Sequence, residues 1–167
     1  MMIIETKRLI LREMDENDTD MLFKVLGDSE NMRYYPYPFD KVRMKNWIKT
    51  NIERYRVFGF GLWGVCLKEN NELIGDCGLT MQNINSFIRP EIGYHIRADK
   101  QRNGYATEAA KAARDWGFAN TPFKILYSYM RSDNIASVKT AEAVGMKLFD
   151  RYTDDDGDIT LVYAVHR

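Results

Sequence analysis

The sequence predicts a single α/β (α+β) domain in which one mixed sheet of about seven strands carries helices on both faces. Two observations support this fold class. The 167 residues suffice for one domain with a substantial core. Segments with strand-like and helix-like hydrophobic spacing follow one another in the order β-α-α-β-β-β-α-β-α-β-β, without a repeat or a linker. Residues 1–167 are therefore expected to form one domain.

The N-terminal part of this order is a strand followed by two helices. Residues 7–13 form the first predicted strand, and the polar run 15–18 offers several N-caps for the first helix. Asp40 can cap a second, longer helix that extends to about Val57. Its apolar stripe has helical spacing with one polar interruption and consists of Met44, Trp47, Ile48, Asn51, Ile52 and Tyr55.

The middle of the chain is rich in β-forming residues. Residues 60–68 and 72–81 are joined by a polar turn with two asparagines, which predicts a hairpin. A polar loop at 82–90 then leads to a strand at 91–97. The C-terminal part adds a strand, a helix and a final strand pair, at residues 124–130, 134–145, 147–152 and 159–165.

The composition excludes several classes of protein. Lys plus Arg and Asp plus Glu number 24 each, so the overall basic excess of a nucleic-acid-binding protein is missing. Cys66 and Cys77 lie in neighbouring predicted strands and are interpreted as reduced thiols. No apolar run approaches the roughly 18 residues of a membrane span, and residues 1–4 are too short for a secretory signal. We expect a cytoplasmic protein, monomer or homodimer, without a nucleic-acid, membrane or metal partner.

The loop at residues 101–106 is the most informative motif. It lies between the predicted strand 91–97 and an Ala-rich helix from about residue 107 to 119. A glycine-containing loop at a helix start presents unpaired backbone N–H groups and the positive end of the helix dipole, which suit phosphate oxygens. The loop lacks the Lys-Ser/Thr of a nucleoside-triphosphate loop and the three glycines of a dinucleotide loop. It therefore predicts a different phosphorylated cofactor.

This loop resembles the acetyl-CoA loop of the GNAT superfamily of N-acetyltransferases. The family pattern is Gln/Arg-x-x-Gly-x-Gly/Ala, and its three defining places are held here by Gln101, Gly104 and Ala106. The opening residues 6–12 and the strand at 91–94 are similar to the branch that includes the ribosomal-protein N-terminal alanine and serine acetyltransferases.

A second family pattern follows about thirty residues later. It reads Asn-x-x-Ser/Ala, a helix and then Gly-Phe, and it is matched by Asn134, Ser137 and Gly145, with Met146 where Phe is usual. The resemblance extends from residue 6 to the C-terminal strand. It implies a mostly antiparallel sheet whose central strand pair splays apart.

The resemblance also implies acetyl-CoA as cosubstrate, and no metal. The pantetheine arm would pair with backbone groups of Ile96 and Arg97, and Asn134 would contact it through a side chain that could equally cap the helix. The diphosphate would be held by the loop residues Gln101, Arg102, Asn103, Gly104, Tyr105, Ala106 and Thr107. The N–H of Tyr105 would serve this purpose, while its ring could lie at the surface or in the core.

Acetyl transfer to an amine needs a group that accepts a proton. Glu91, which begins the predicted strand, is the first candidate for the general base, and a salt bridge with Arg89 is the competing interpretation. Asp76 and His95 are further candidates. A Ser-His-Asp hydrolase is poorly supported because the chain lacks a G-x-S-x-G motif.

The CoA sulfur that leaves in the reaction needs a hydrogen-bond or proton donor. Ser137, in the first turn of its helix, is the candidate, although a serine there is usually solvated or capping. Many family members carry a tyrosine seven residues after the asparagine. This chain has Ala141 at that place, so a tyrosine acid is excluded there.

The implied function is N-acetylation of a primary amine, most like that of a protein or peptide N-terminal α-amine. Acetylation of a small amine, such as a polyamine, an amino acid or an antibiotic, stays open, as does a non-catalytic CoA-binding regulatory domain. The aromatic loop 34–39 either packs as a plug or lines the acceptor groove. The acidic run 153–158 is expected to be a hairpin turn, because it lacks the ligand spacing of a calcium loop.

Overall fold

The computed structural model describes the backbone of all 167 residues and every side chain except that of Met2. Its strands are β1 (Met2–Glu5), β2 (Leu9–Arg12), β3 (Leu62–Leu67), β4 (Leu73–Ile84), β5 (Phe87–Ile96), β6 (Ile125–Arg131), β7 (Lys147–Thr153) and β8 (Ile159–His166). Its helices are α1 (Thr19–Leu26), α2 (Lys41–Phe58), α3 (Tyr105–Asn120) and α4 (Ile135–Ala143), with short 3-10 turns at Glu16–Asp18 and Ala98–Lys100. None of these helices combines the length and apolar character needed to cross a membrane.

All eight strands belong to one sheet with the order β1-β2-β3-β4-β5-β6-β8-β7. Neighbouring strands are antiparallel except β5 and β6, which run parallel and are connected by the crossover helix α3. These two strands share a single register pair, Glu91 with Tyr127. The predicted fold class, a mostly antiparallel mixed sheet with a splayed central pair, is confirmed.

Helices cover both faces of the sheet, as predicted. Side chains alternate between the faces along β3, so Trp63 and Val65 enter one core while Leu62 and Cys66 enter the other. The first core also contains the small residues of α3 and the end of α4. The second contains the apolar sides of α1 and α2, including Leu22 and Met44.

Helix α3 packs closely on the sheet because one of its sides carries only small residues. Ala109, Ala110 and Ala113 are fully buried there. A Cβ placed on Gly117 would lie 2.8 Å from the Cδ1 atom of Leu79. The sheet therefore approaches the helix to a distance that larger residues would prevent.

Side-chain caps begin the helices close to the predicted positions. Asp40 accepts a hydrogen bond of 2.7 Å from the Arg43 amide at the start of α2, and Gly59 ends that helix with φ of 75°. Asp15 caps the 3-10 turn before α1 rather than α1 itself. On α2, Ile52 is 37% exposed, so its place in the apolar stripe was wrongly predicted.

The prediction of a loop at residues 82–90 is wrong, because this segment contains the end of β4 and the beginning of β5. The two strands are joined by a two-residue turn in which Asn85 and Ser86 have φ values of 50° and 65°. Positive φ at both positions is typical of a type I′ hairpin turn. Glu91 consequently lies in the middle of β5, where it pairs with Thr80 of β4, and does not begin the strand.

The sheet also has eight strands where seven were expected. The additional strand, β1, pairs antiparallel with β2 at the sheet edge. It has only four residues and continues without a separating helix into the next strand, so its periodicity was too short to identify.

Candidate active site

A groove opens where β5 and β6 diverge. Beyond the Glu91–Tyr127 pair, the Ser128 hydroxyl donates a hydrogen bond of 2.6 Å to the Ile92 carbonyl and so replaces a backbone partner. Farther along β5 the strands no longer pair. The separation leaves room between the end of β5, the start of α3 and the start of α4.

The backbone groups of β5 that face this groove differ in part from those predicted. The Arg97 amide donates a hydrogen bond of 2.8 Å to the Ile74 carbonyl of β4, so it is not open to a ligand. Because successive residues of a strand direct their backbone groups to opposite sides, Tyr94 and Ile96 face the groove instead. The Ile96 carbonyl already accepts a hydrogen bond of 2.9 Å from the Gln101 side chain.

The loop before α3 has the conformation expected of an anion-binding loop. Gly104 is the N-cap residue with φ of 79°, and Arg102 also has a positive φ of 61°. The N–H groups of Tyr105, Ala106 and Thr107 belong to the first helical turn, which has no intrahelical acceptors for them. These amides meet at the helix N-terminus, where the helix dipole favours negative charge.

Arg8 of the β1–β2 connection supports this loop from outside. It donates a hydrogen bond of 2.8 Å to the Asn103 carbonyl and forms an ion pair of 2.7 Å with Glu108 of α3. Its guanidinium also lies 4.5 Å from the centre of the Tyr105 ring. The Tyr105 ring is thus half-buried between this cation and the core. It lies partly at the surface and partly against the core, which were the two expected places for it.

The groove has a volume of about 550 Å³ and is rich in cationic side chains. Lys100, Arg102 and Lys139 line it together with Arg33 from the segment before α2. Sequence reasoning identified Arg102 but missed Lys100, Arg33 and Lys139, because packing that the sequence does not display decides which cations reach the groove. The groove has the shape, cations and open amides that a phosphorylated cosubstrate requires.

Helix α4 forms the opposite wall of the groove. The Asn134 side chain accepts a hydrogen bond of 3.2 Å from the Ser137 amide and therefore caps the helix. Asn134 and Ser137 both line the groove, and the Ser137 carbonyl accepts a hydrogen bond of 2.9 Å from the Tyr94 hydroxyl. Ala141 lies fully buried in the core behind them.

A second cavity, of about 710 Å³, adjoins the groove. The two spaces meet at residues that line both of them, namely Tyr34, Tyr35, Tyr94, His95, Asn134 and Ser137. The aromatic loop contributes Tyr35 and Phe39 to the second cavity, and α2 contributes Trp47. Phe39 is also buried in the second core, so the loop both packs and lines a cavity.

Glu91 lies on the wall of the second cavity. The Thr80 hydroxyl donates a hydrogen bond of 3.0 Å to its carboxylate, and Arg89 is not its partner, because that guanidinium stacks on aromatic rings instead. Burial raises the pKa of Glu91 to about 7, against the lowering effects of the Thr80 hydrogen bond and of the nearby His95 and Arg54 charges. A carboxyl group with this pKa can gain and lose a proton near neutral pH.

This raised pKa predicts a pH-dependent stability difference for Glu91→Gln. The pKa of Glu91 in the folded state is above its ordinary value of 4.5. The contribution of the protonated Glu91 carboxyl to the free energy of unfolding is therefore complete below pH 4.5 and is lost as the pH rises through about 7. We expect Glu91→Gln to match the parent at pH 5 and to be more stable at pH 8, by on the order of 3 kcal/mol at most. Urea unfolding at both pH values measures this, with Glu69→Gln on an exposed turn as control. Equal differences at the two pH values would contradict the assigned pKa.

Beside Glu91, a chain of polar side chains extends from the core to the junction of the two spaces. Asp76 of β4 is fully buried and accepts hydrogen bonds from Trp47 Nε1 at 3.0 Å and from His95 Nδ1 at 2.7 Å. His95 Nε2 lies 2.9 Å from the Tyr35 hydroxyl. Burial lowers the pKa of His95, but the charge and hydrogen bond of Asp76 and the charge of Glu91 outweigh it and raise the pKa above its ordinary value.

The acidic run forms the expected hairpin turn between β7 and β8. The Asp154 carboxylate accepts hydrogen bonds from the backbone amides of Asp156 and Asp158, and Gly157 has φ of 84°. Asp154, Asp156 and Asp158 line the second cavity opposite the aromatic loop. Among the described side chains, no three His, Cys, Asp or Glu residues are grouped as metal ligands.

Comparison with known proteins agrees with this arrangement. Residues 8–147 match the family model of the acetyltransferase (GNAT) domain. The chain belongs to the GNAT superfamily. It is an acetyl-CoA-dependent acetyltransferase, and the groove beside the splayed GNAT strands is the place whose loop and charges fit that cosubstrate.

Similar proteins occur in Bacillus. YkkB of Bacillus subtilis (strain 168) is 35% identical over 142 residues, which cover 84% of this chain and 83% of YkkB. The GNAT acetyltransferase from Bacillus anthracis has a similar fold, with a TM-score of 0.86, 23% identity and coverage of 99% and 98% of the two chains. RimL, a ribosomal L7/L12 α-N-protein acetyltransferase solved with coenzyme A, has a TM-score of 0.80, 19% identity and coverage of 99% and 98%.

Proposed function

We propose that this protein, acting as one domain over residues 1–167, acetylates the N-terminal α-amine of a peptide or protein, with Glu91 as general base. The amine would occupy the cavity beside Glu91, and the acetyl group would reach it from the groove through the shared junction. The cavity beside Glu91, which residues of two loops flank, carries the choice of acceptor, and the raised pKa of Glu91 supports it.

A general base works best when its pKa is close to that of the acid from which it takes the proton. An α-ammonium has a pKa of about 8, whereas a lysine-like ammonium has a pKa of about 10.4. Transfer to Glu91, with its pKa of about 7, is therefore uphill by roughly one pKa unit, or about 1.4 kcal/mol, from an α-amine. From a lysine-like amine the same transfer is uphill by more than three units. Glu91 thus suits an α-amine better.

The shape of the second cavity and the RimL comparison support the same acceptor. Two loops, 34–39 and 154–158, flank the cavity, as an extended peptide would require. Its lining includes the cations Arg43 and Arg131 as well as carboxylates, so it is not uniformly acidic. RimL, which shares the fold, is named as an α-N-protein acetyltransferase.

Roles for the groove residues follow from their positions. The backbone of Gln101, Arg102, Asn103, Gly104, Tyr105, Ala106 and Thr107 would hold the diphosphate of acetyl-CoA. Tyr94 and Ile96, rather than Arg97, would offer backbone groups to the pantetheine amides. Asn134 would serve first as a helix cap, and Ser137 stays a candidate contact for the sulfur because it lines the junction.

A small polyamine is the second candidate acceptor, and the acidic hairpin favours it. Asp154 and Asp156 lie on the cavity wall, whereas Asp158 is neutralised by an ion pair of 2.8 Å with Arg131. The Asp154 and Asp156 carboxylates form no ion pair with a described side chain and would attract the second ammonium of a diamine. The match between the pKa of the base and that of an α-amine favours the first candidate.

An acceptor panel tests the proposal. With acetyl-CoA and thiol release as readout, we expect peptides with a free α-amine to be acetylated at pH 7.5 with kcat/KM at least about tenfold above spermidine or Nα-blocked lysine peptides. Mass spectrometry locates the acetyl group. Matched peptides whose α-amine is blocked are the control. Faster turnover of spermidine would replace the α-amine by the polyamine, and turnover of neither would refute both acceptors.

A further inference from the structure

We propose that Tyr35 is the catalytic acid that protonates the departing CoA sulfur, and that His95 and Asp76 are positioning residues that supply and hold its proton. This inference rests on the acetyl transfer described above but not on the identity of the acceptor amine. It gives a chemical role to a chain of buried polar groups that base catalysis by Glu91 does not use.

Tyr35 lies where a residue that protonates the CoA sulfur has to be. The acceptor amine and the acetyl group can meet only at the junction of groove and cavity, and Tyr35 lines both spaces. Its ring is 43% exposed, but its hydroxyl points inward to His95 Nε2 at 2.9 Å. The Tyr35 ring also contacts the His95 ring, with centroids 5.5 Å apart, and the loop that carries Tyr35 packs through Phe39 against Trp47 at 5.3 Å.

The groups behind Tyr35 are arranged to deliver a proton outward. The fully buried Asp76 accepts a hydrogen bond of 2.7 Å from His95 Nδ1, which leaves Nε2 directed at Tyr35. Trp47 Nε1 donates to the other oxygen of Asp76 at 3.0 Å and holds the carboxylate in place. When His95 is protonated, Nε2 donates to the Tyr35 oxygen, and the tyrosine proton is free to point into the junction.

The charges around this chain favour its protonated form. Asp76 of β4 and Glu91 of β5 are the acidic groups that face His95, and both raise its pKa. Burial and the charges of Glu91 and Asp76, with Tyr129 of β6, raise the pKa of Tyr35. The Tyr35 hydroxyl therefore stays protonated in the resting site, and a proton from His95 would replace the one that it gives up.

The other candidates at this place lack such support. Ala141 carries no polar group at the position where many family members have a tyrosine. Ser137 lines the junction, but no described side chain within hydrogen-bond distance can replenish its proton. Tyr94 donates its hydroxyl proton to the Ser137 carbonyl and is thereby engaged.

The proton balance of the step closes. Glu91 first takes a proton from the acceptor ammonium and releases it to water. The neutral amine nitrogen then bonds to the acetyl carbon, the carbon–sulfur bond breaks, and the sulfur keeps the electron pair. The Tyr35 proton moves to sulfur, the His95 Nε2 proton moves to the Tyr35 oxygen, and the second proton lost by nitrogen moves to Glu91. The products are the amide, the CoA thiol, neutral His95 and protonated Glu91. Exchange with water then restores the starting state.

The pH profile of kcat tests the relay with Tyr35→Phe, and Tyr37→Phe in the same loop is the matched control. Because the reactive form needs protonated His95, kcat of the parent should fall at high pH. Tyr35→Phe should lower kcat about 100-fold near neutral pH, leave KM for acetyl-CoA within about twofold, and abolish the high-pH fall. His95→Gln should abolish the same fall. Tyr37 is 63% exposed and lines neither the groove nor the second cavity, so it should be replaceable without effect.

Several outcomes would overturn the relay. Tyr35→Phe with parental kcat, or with the high-pH fall intact, removes Tyr35 as the acid. If Tyr35→Phe instead removes the fall of kcat at low pH, the Tyr35, His95 and Asp76 side chains act as a base. Loss of the high-pH fall in Ser137→Ala, and not in Tyr35→Phe, would assign the donor to Ser137. The assay uses whichever amine the acceptor panel identifies, so a wrong acceptor class leaves this test intact.

Discussion

Glu91→Gln is expected to lower kcat/KM by about 100- to 10,000-fold at neutral pH, which is the range for loss of a general base. Gln keeps the size of the side chain and can accept the Thr80 hydrogen bond, so the cavity should stay intact. The loss should be largest at low pH, where the acceptor is an ammonium. It should shrink as the pH approaches the pKa of the amine, because water then removes the proton unaided.

The control for this variant is Glu69→Gln, which removes an exposed carboxylate in the β3–β4 turn and should leave the kinetics unchanged. Steady-state kinetics between pH 6 and about pH 9 make the comparison. If Glu91→Gln turns over like the parent throughout, Glu91 is not the base. Asp76, His95 or a water chain would then take its place.

The second large effect is expected for Gly104→Val, which should weaken acetyl-CoA binding by about 100-fold or more. Gly104 has φ of 79°, which a β-branched residue adopts only with strain, and a Cβ there would lie 3.4 Å from the Arg8 guanidinium. The side chain would also occupy the space through which phosphate oxygens approach the amides of α3. Calorimetric titration measures the loss, and at the same acetyl-CoA concentration the Tm of the parent should rise more than that of the variant.

Gly59→Val separates strain from ligand contact. Gly59 has a similar φ of 75° at the end of α2, and nothing lies within 4 Å of an added Cβ. This variant should lose stability comparably yet bind acetyl-CoA like the parent. Parental affinity in Gly104→Val would show that this loop is not the phosphate site.

The local parts of the fold were predictable because their signals are local. Asp40 and Asn134 begin helices through side-chain caps that span three residues. The turn between β4 and β5 was missed because Asn85 and Ser86 adopt positive φ without the glycine that usually signals it. That error also moved Glu91 from the middle of its strand to the start.

The site was predictable only where one segment builds it. The loop around Gly104 is contiguous in sequence, so its role could be inferred, whereas Arg8 reaches it from about a hundred positions away. Asp76 and His95 were considered only as separate bases. Their contact depends on the β4–β5 register, in which they are direct partners, and that register is fixed by packing that the sequence does not display. The approach of Tyr35 to His95 depends on loop packing in the same way.

The divergence of β5 and β6 also separates the N-terminal strands of the sheet from the C-terminal strands. Strands β1 to β5 all precede α3 in the chain and lie on one side of the divergence, whereas β6, β8 and β7 follow α3 and lie on the other side. The groove lies between these two groups of strands, and Glu91 with Tyr127 is the single register pair that connects them. Acetyl-CoA in this groove would contact both halves, so we expect saturating acetyl-CoA to slow local opening and proteolysis of the native protein.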